Sequence, residues 1–361
     1  MTIKKKSVNL WQNKVKITMK RILSFGYGRI EEYDKVKSSG LSSRHFYGMV
    51  ELQRKYEIHQ ISLYSRAGVK GFLINNFRTL KSCDIVFMAY LYVTPLLFLS
   101  ILKHLGLCHR QIVVVSHHTL EHSANYIHNC IYKYIYSSID IILFHSPKNL
   151  SESVDMGLVK KENTDTICWG EDLEFVNSTF RISDKGYFIS TGRENRDFPL
   201  LIEAFAHSEA SLELYTNKYN YDNDYSFLDN VIDTYPNIKI EFVEKDHNTM
   251  RILGQKTAES RCVVIPLIKN TVNYCVGLTS IVEAMALGKP IISSPNPYSP
   301  INLEEEGIGF YADTLEEWRK AIDFLNKNPE QAQKMGKKAR DLAKKEYNIV
   351  KFSKMLDKLF S

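Results

Sequence analysis

The stretch NYCVGLTSIVEAMALGKPIISS, residues 273 to 294, carries one carboxylate, Glu283, just inside a segment with helical spacing. Ahead of it, Gly277, Leu278, Thr279 and Ser280 form a start with no bulky side chain at its first position. A helix beginning at about Thr279 leaves the N–H groups of Gly277 to Ser280 at the positive end of its dipole, an anion site suited to phosphate. The Thr279 and Ser280 hydroxyls can either cap that helix or bind the anion. Glu283 lies one turn further in, where a carboxylate faces away from phosphate and can accept hydrogen bonds from a diol such as ribose. Taken alone, an acid in the first turn of a capped helix is ordinary. Together with Gly277, the Thr-Ser pair and the following Gly288-Lys289-Pro290, it points to a bound ligand.

Two other groups complement that site. GYFISTGRENRDFPLLIEAF runs from a strand into a loop holding Arg193 and Arg196, then into a helix expected at about Phe198. Two guanidiniums at the carboxyl end of a strand can clamp a diphosphate and offset charge on a departing phosphate, although surface arginines are common and the pair alone is weak evidence. In VVVSHHTLEHS a strand ends at His117 and His118. Either can face a ligand, or both can be a polar pair on an exposed loop. His118 and His122 have i, i+4 spacing, but no third ligand converges on them, and YDNDY at 221 to 225 reads as a turn in a loop connecting helices. No metal site is expected.

Positioning these groups requires a scaffold, and the chain alternates strand and helix twice over. RILSFG, HQISLY, DIVFMA, QIVVVS and IDIILFHS are short apolar runs without strict alternation, as in parallel strands buried on both faces. A second series, GYFIST, LELYT, IKIEFVE, CVVIPL and PIISS, begins near Lys185, and three helical stretches follow Asp313. The fold class is therefore α/β, with two doubly wound, Rossmann-like domains facing each other across a cleft at the carboxyl ends of their strands. The expected boundaries are 1–178 and 179–345, joined by a polar linker around 170 to 185, with 346–361 a helix that packs back on the first domain. Ile85 to Leu102 is uncharged for 18 residues, near the length of a membrane span. Thr94-Pro95 divides it into a buried strand and a helix capped by Thr94 with Pro95 at its first position, a helix that can still present an exposed, membrane-facing side.

These segments resemble the retaining family 4 glycosyltransferases of the GT-B fold, over most of the chain. GLTSIVEAMALGKPIISS is similar to that family's EAMA-x-GKPVI signature, and GRENRDFPLLIEAF to its Gly-Arg, basic residue, LIEAF block. CWGEDLEF resembles the interdomain Gly-x-Asp segment, at Gly170 and Asp172. SSGLSSRHFYGMVELQRKYEI is similar to the first loop and helix, and EEGIGFYADTLEEWRKAI to the closing strand and helix. The resemblance implies roles: Arg193 and Arg196 on the donor's diphosphate, Glu283 on the ribose, Gly277, Leu278 and Thr279 on the phosphates, with Ser280 beside them. It also implies a His at the reacting sugar, matched by His117 or His118, and an acceptor in front of Gly40 to His45, where Ser42, Ser43, Arg44 and His45 offer polar contacts. The family usually places a first Glu eight positions before the ribose Glu, and here Cys275 stands there. Either backbone N–H groups near Val276 to Leu278 take over sugar recognition, or the donor has a different hydroxyl pattern. The implied reaction is metal-independent transfer of a hexose-like sugar from a UDP or GDP type donor, without cofactor, with retained configuration and with the leaving phosphate accepting the acceptor's proton.

Length and composition agree with a globular enzyme: 361 residues, 44% apolar and 24% charged. The net charge of +6 is concentrated at one end. Seven of the 47 Lys and Arg lie in residues 1 to 21 with no acid, so the remaining 40 nearly balance the 41 Asp and Glu. Leu10, Trp11, Val15 and Ile17 are interleaved in this basic leader, which suits either a solvated tail or a peripheral contact with anionic lipid. Six scattered cysteines without C-x-x-C spacing, and no apolar signal-peptide core, predict a cytoplasmic protein that can be peripheral on the inner face of the plasma membrane. A lipid-linked oligosaccharide acceptor in bacterial surface polysaccharide assembly fits that placement. Two alternatives are a nucleotide-sugar epimerase of the same build and a non-enzymatic nucleic-acid binder using the leader; the near-neutral remainder of the chain argues against a nucleic-acid partner.

Overall fold

The structure is a computed structural model and describes residues 19–26, 30, 33, 42–62, 77–220, 223–244, 246–269 and 274–361. Gly40 and residues 1–18 of the basic leader lie outside them. The first unit comprises β1 (Arg21–Gly26), α1 (Met49–Leu52), β2 (Glu57–Ser62), α2 (Phe77–Ser82), β3 (Ile85–Met88), α3 (Val93–His104), β4 (Gln111–Ser116), α4 (Tyr126–Tyr136), β5 (Ile141–Phe144), α5 (Pro147–Asp155) and β6 (Thr164–Thr166). Then come α6 (Leu173–Thr179), β7 (Tyr187–Ser190), α7 (Phe198–Ala206), β8 (Ser211–Thr216), β9 (Tyr219–Asn220), β10 (Asn223–Asp224), β11 (Ile238–Phe242), α8 (His247–Glu259), β12 (Cys262–Ile265), α9 (Leu278–Ala286), β13 (Ile291–Ser293) and β14 (Gly309–Tyr311). The chain ends with α10 (Leu315–Lys327), α11 (Pro329–Lys345) and α12 (Ile349–Phe360).

Two six-stranded sheets result, in the orders β2-β1-β3-β4-β5-β6 and β11-β8-β7-β12-β13-β14. Every pairing within them is parallel. The β-branched runs are buried on both sides because helices cover both faces: β3 and β12 are buried at every position. In the second sheet the order reverses between β7 and β12, so the loops leaving their carboxyl ends diverge and open a crevice there. Those loops carry Arg193, Arg196 and the start of α9.

The chain crosses between the two sheets twice, and the crossings are hydrogen-bonded to each other. Glu171 N–H donates to the Tyr347 carbonyl at 3.1 Å, and Ile349 N–H donates to the Glu171 carbonyl at 2.9 Å. The backbones approach so closely that a Cβ on Gly170 would lie 2.5 Å from the Asn348 carbonyl carbon. Beyond the second crossing, α12 leaves the second unit and buries Ile349, Phe352, Leu356 and Phe360 in the core of the first. At about 2 kcal/mol per large apolar side chain removed from water, this helix is a substantial tie between the units. Lys20 Nζ fixes its end by donating to the Phe360 carbonyl at 2.8 Å.

Three local expectations change. Helix α3 begins at Val93 after Tyr92, with no side-chain cap, so Thr94 lies inside the first turn. The segment read as a linker contains α6, capped by Asp172, whose carboxylate accepts from Phe175 N–H at 2.9 Å. YDNDY is not a plain turn: Asn223 and Asp224 form β10, paired antiparallel with β9. Among the described residues, no helix is long and apolar enough to cross a membrane.

Candidate active site

A cleft of about 790 Å³ opens between the two sheets. The floor on the second-unit side is the start of α9. Gly277 precedes it with φ +83°, a left-handed conformation that L side chains rarely adopt, which explains glycine at this position. Leu278 N–H is used internally, donating to the Cys275 carbonyl at 3.1 Å. The Leu278 side chain is buried in the core. Thr279 and Ser280 N–H have no backbone acceptor among the described residues. Among the described residues no side chain caps the helix, so of the two uses open to the Thr279 and Ser280 hydroxyls capping does not occur, and both are left at the cleft.

The Arg loop meets this helix end. The Arg196 side chain is buried, its Nη2 3.5 Å from Ser280 Oγ and its Nη1 on the Glu194 carbonyl. Its Nε is buried with no hydrogen-bond partner among the described residues. Burial pushes its pKa down to about 10, which still leaves the guanidinium cationic at neutral pH. Arg193 lines the same part of the cleft, and its pKa is also lowered, by burial. Neither arginine forms an ion pair among the described residues. The loop is held from behind by the β9–β10 hairpin: Arg196 N–H donates to Tyr225 Oη at 3.0 Å, and Asn195 N–H and Tyr225 O–H both donate to Asn223 Oδ1, at 3.0 and 3.1 Å.

Glu283 is tied across the cleft. The Arg44 guanidinium donates to Glu283 Oε1 with one nitrogen and to Glu171 Oε2 with the other. Burial opposes the charge on Arg44, but the carboxylates of Glu171 and Glu283 outweigh it and raise its pKa. Ser42 orients the group, accepting from Arg44 N–H at 3.3 Å and donating to Glu171 Oε1 at 2.9 Å. Ser43 points elsewhere, its hydroxyl donating to Glu51 at 2.7 Å. Ser42, Arg44 and His45 therefore line the cleft, and Ser43 does not. Beyond Glu283 the wall is apolar, built from Phe175, Val176 and Phe180 with Met250 and Leu253. Chain order conceals this wall because it joins the crossing helix α6 to the distant α8.

On the first-unit side, His117 and His118 both border the cleft but differ in setting. His118 is exposed on an irregular loop, so it shares no helix turn with His122. His117 stacks on Tyr90 with ring centroids 4.4 Å apart, and its Nε2 lies 3.3 Å from Tyr47 Oη and 3.3 Å from the Ala89 carbonyl. Burial, with His145 close by, keeps its pKa well below the usual imidazole value, so it is neutral at pH 7. His145, buried and 4.8 Å from His117 between ring centroids, donates through Nδ1–H to the Ile167 carbonyl at 3.0 Å and leaves Nε2 without a partner among the described residues. Cys275 faces Asn149, whose Nδ2 is 3.4 Å from its Sγ, and burial pushes the thiol up to about 12. That wall is therefore neutral where a carboxylate was expected from the resemblance. Val276 lines the cleft beside it.

The sequence profile of the family described as Glycosyl transferase-like matches residues 274–355, less than half of the chain. No curated protein sequence matches it. Among solved structures, Anabaena HepE in complex with UDP-glucose superposes with TM-score 0.63 at 12% identity, covering 94% of this chain and 99% of that one. The apo lipopolysaccharide outer core galactosyltransferase WaaB gives TM-score 0.57 at 12% identity, covering 95% and 99%. A Listeria monocytogenes protein assigned as a UDP-N-acetylglucosamine 2-epimerase gives TM-score 0.51 at 11% identity, covering 90% and 94%. Identities this low speak to architecture alone, and the architecture agrees with the strand orders above: the chain has the two-domain α/β GT-B fold.

Proposed function

We propose that the protein is a glycosyltransferase that moves a sugar from a nucleoside diphosphate donor, of the UDP or GDP type, to an acceptor hydroxyl. The observation that carries this reading is the convergence, at the strand-order reversal of the second sheet, of two arginines that form no ion pair among the described residues with a helix start that no side chain caps, one turn from Glu283. Arg193, Arg196 and the Thr279 and Ser280 amides hold the diphosphate and stabilise the charge that grows on it as the glycosidic bond breaks. Glu283, with one oxygen on Arg44, offers the other to the ribose. The apolar wall of Phe175, Phe180 and Met250 takes the base, and His117, being neutral, hydrogen-bonds the sugar.

The acceptor enters from the side of Ser42, His45 and His118. Its oxygen bonds to the anomeric carbon, the bond from that carbon to the phosphate oxygen breaks, and the acceptor's proton passes to the departing phosphate, giving retained configuration without a metal. Glu171 and Glu283 are committed to Arg44, and His117 is a weak base, which favours this proton route over a side-chain base. A lipid-linked oligosaccharide in bacterial surface polysaccharide assembly, met at the membrane's inner face, is the acceptor class this reading takes. The family resemblance and the Glycosyl transferase-like profile match over residues 274–355 support the transferase class over epimerisation.

The test is turnover of UDP- and GDP-linked hexoses with a glycan acceptor, with and without Arg196→Ala. Transfer by the wild-type protein and a fall in kcat of about a hundredfold to a thousandfold in the variant, at a thermal midpoint little changed, is the expected result. Donor isomerised without acceptor would identify an epimerase. A variant that unfolds early yet keeps full activity would remove Arg196 from the chemistry.

A further inference from the structure

Helix α4 is the least covered helix of comparable length around the first sheet. Its sequence, YIHNCIYKYIY, buries only Ile135 and Tyr136. Tyr126 is 81%, Ile127 68%, Ile131 44% and Tyr134 38% exposed. Residues 127, 131 and 134 recur at i, i+4 and i+7, so they form one outward stripe, with the exposed Cys130 on it. The end of α3 extends the stripe: Ile101 is 42%, Leu105 66% and Leu107 68% exposed, and His104 stacks on Tyr134 with ring centroids 4.3 Å apart. An apolar and aromatic surface of this continuity on two packed helices marks an interaction site.

Charge selects the partner. Neither helix contains an acid, and from Ile85 to Ile139 the only one is Glu121, against Lys103, Arg110 and Lys133. Lys103 is already paired with Asp140 at 2.6 Å. Lys133 projects from α4 with no ion pair among the described residues. Exposed Ile and Leu for the acyl boundary, Tyr for the headgroup level and the unpaired Lys133 beside them are the complement of an anionic bilayer. A second copy docking here about a twofold axis would bring Lys133 and His128 against their own equivalents. We propose that the α3–α4 face seats the chain on an anionic lipid bilayer. The stripe starts at Ile127, nine residues after His118, which lines the cleft. The face belongs to the same unit as His118, so docking on it holds the first unit at the membrane. The placement deepens the lipid-linked acceptor reading, but binding to lipid is measured without donor or acceptor, so the two succeed or fail separately.

The experiment is cosedimentation of the full chain with vesicles of phosphatidylcholine alone and of phosphatidylcholine mixed with phosphatidylglycerol, comparing wild type with the double variant Ile127→Glu, Ile131→Glu. Both positions are exposed, so the thermal midpoint should stay close to that of the wild type. The expected result is binding to the mixed vesicles only, weakened by salt, and a loss of affinity of about tenfold or more in the variant. Equal binding of variant and wild type would place docking elsewhere, including on the basic leader, and overturn the proposal. Binding to both vesicle types alike would overturn its electrostatic part. Absence of vesicle binding, with a dimer in light scattering that the variant abolishes, would show that a second copy covers the face instead.

Discussion

Arg196 is a buried cation that donates to the Glu194 carbonyl and approaches the Ser280 hydroxyl, with Nε unpartnered and no ion pair among the described residues, so the more distant Glu194 carboxylate only partly offsets its burial. Such a group is costly unless a ligand supplies the charge, which ties it to an anion more firmly than its residue type could. Its place beside Gly277, Thr279 and Glu283 was legible because each belongs to a short local pattern: strand, Gly-rich turn, helix. The Arg44 clasp was not, since Arg44 lies 127 residues from Glu171 and 239 from Glu283, and nothing local pairs them. His145 also went unread, being an isolated histidine at the end of an apolar strand. Its burial leads to a pH prediction. The folded state holds its pKa at about 4, below the ordinary 6.5, so between these values only the unfolded chain takes up the proton. Stability is then present above pH 6.5 and lost as pH falls towards 4, by up to about 3 kcal/mol. Denaturant titrations should show that loss in the wild type and a smaller one in His145→Phe; equal losses would mean that His145 is not held neutral.

At the scale of elements, the strands were read well because parallel strands buried on both faces are continuous apolar runs, and the observed limits differ from the expected ones by one or two residues at most ends. Short elements were not. Helix α6 has seven residues and was absorbed into a linker, and β9 and β10 are two residues each, recognisable only by their pairing. That hairpin matters because its Tyr225 and Asn223 hold the backbone of the Arg loop. Tyr225→Phe leaves the Arg196 amide without its acceptor in a buried setting, which should cost about 1–2 kcal/mol of stability. If the hairpin also positions the guanidiniums, kcat should fall several-fold more than a destabilisation of that size explains at saturating temperature margins. Measured by denaturant unfolding and by steady-state kinetics, unchanged kcat with lowered stability would reduce the hairpin to a purely structural role.

At the scale of the whole molecule, the two units are joined by more than a linker. The crossings at 170–172 and 347–349 pair with each other, α12 belongs to the core of the first unit although its chain comes from the second, and Arg44 reaches from the first unit to Glu283. On the far side of the cleft, Tyr274 O–H donates to Glu152 at 2.7 Å and Ser146 O–H donates to the Tyr298 carbonyl at 3.0 Å. A ligand that engages Glu283 therefore acts on a residue shared by both units, and its binding should register in the stability of the entire chain. The direct measurement is thermal unfolding with UDP, GDP, ADP or CMP, for the wild type and for Glu283→Ala. A ligand selective for the native state adds RT ln(1 + [L]/Kd), about 2.7 kcal/mol at a hundredfold excess over Kd. The account predicts a rise in midpoint with UDP or GDP that Glu283→Ala abolishes or sharply reduces. No shift with any nucleotide, or a shift undiminished in Glu283→Ala, would contradict it.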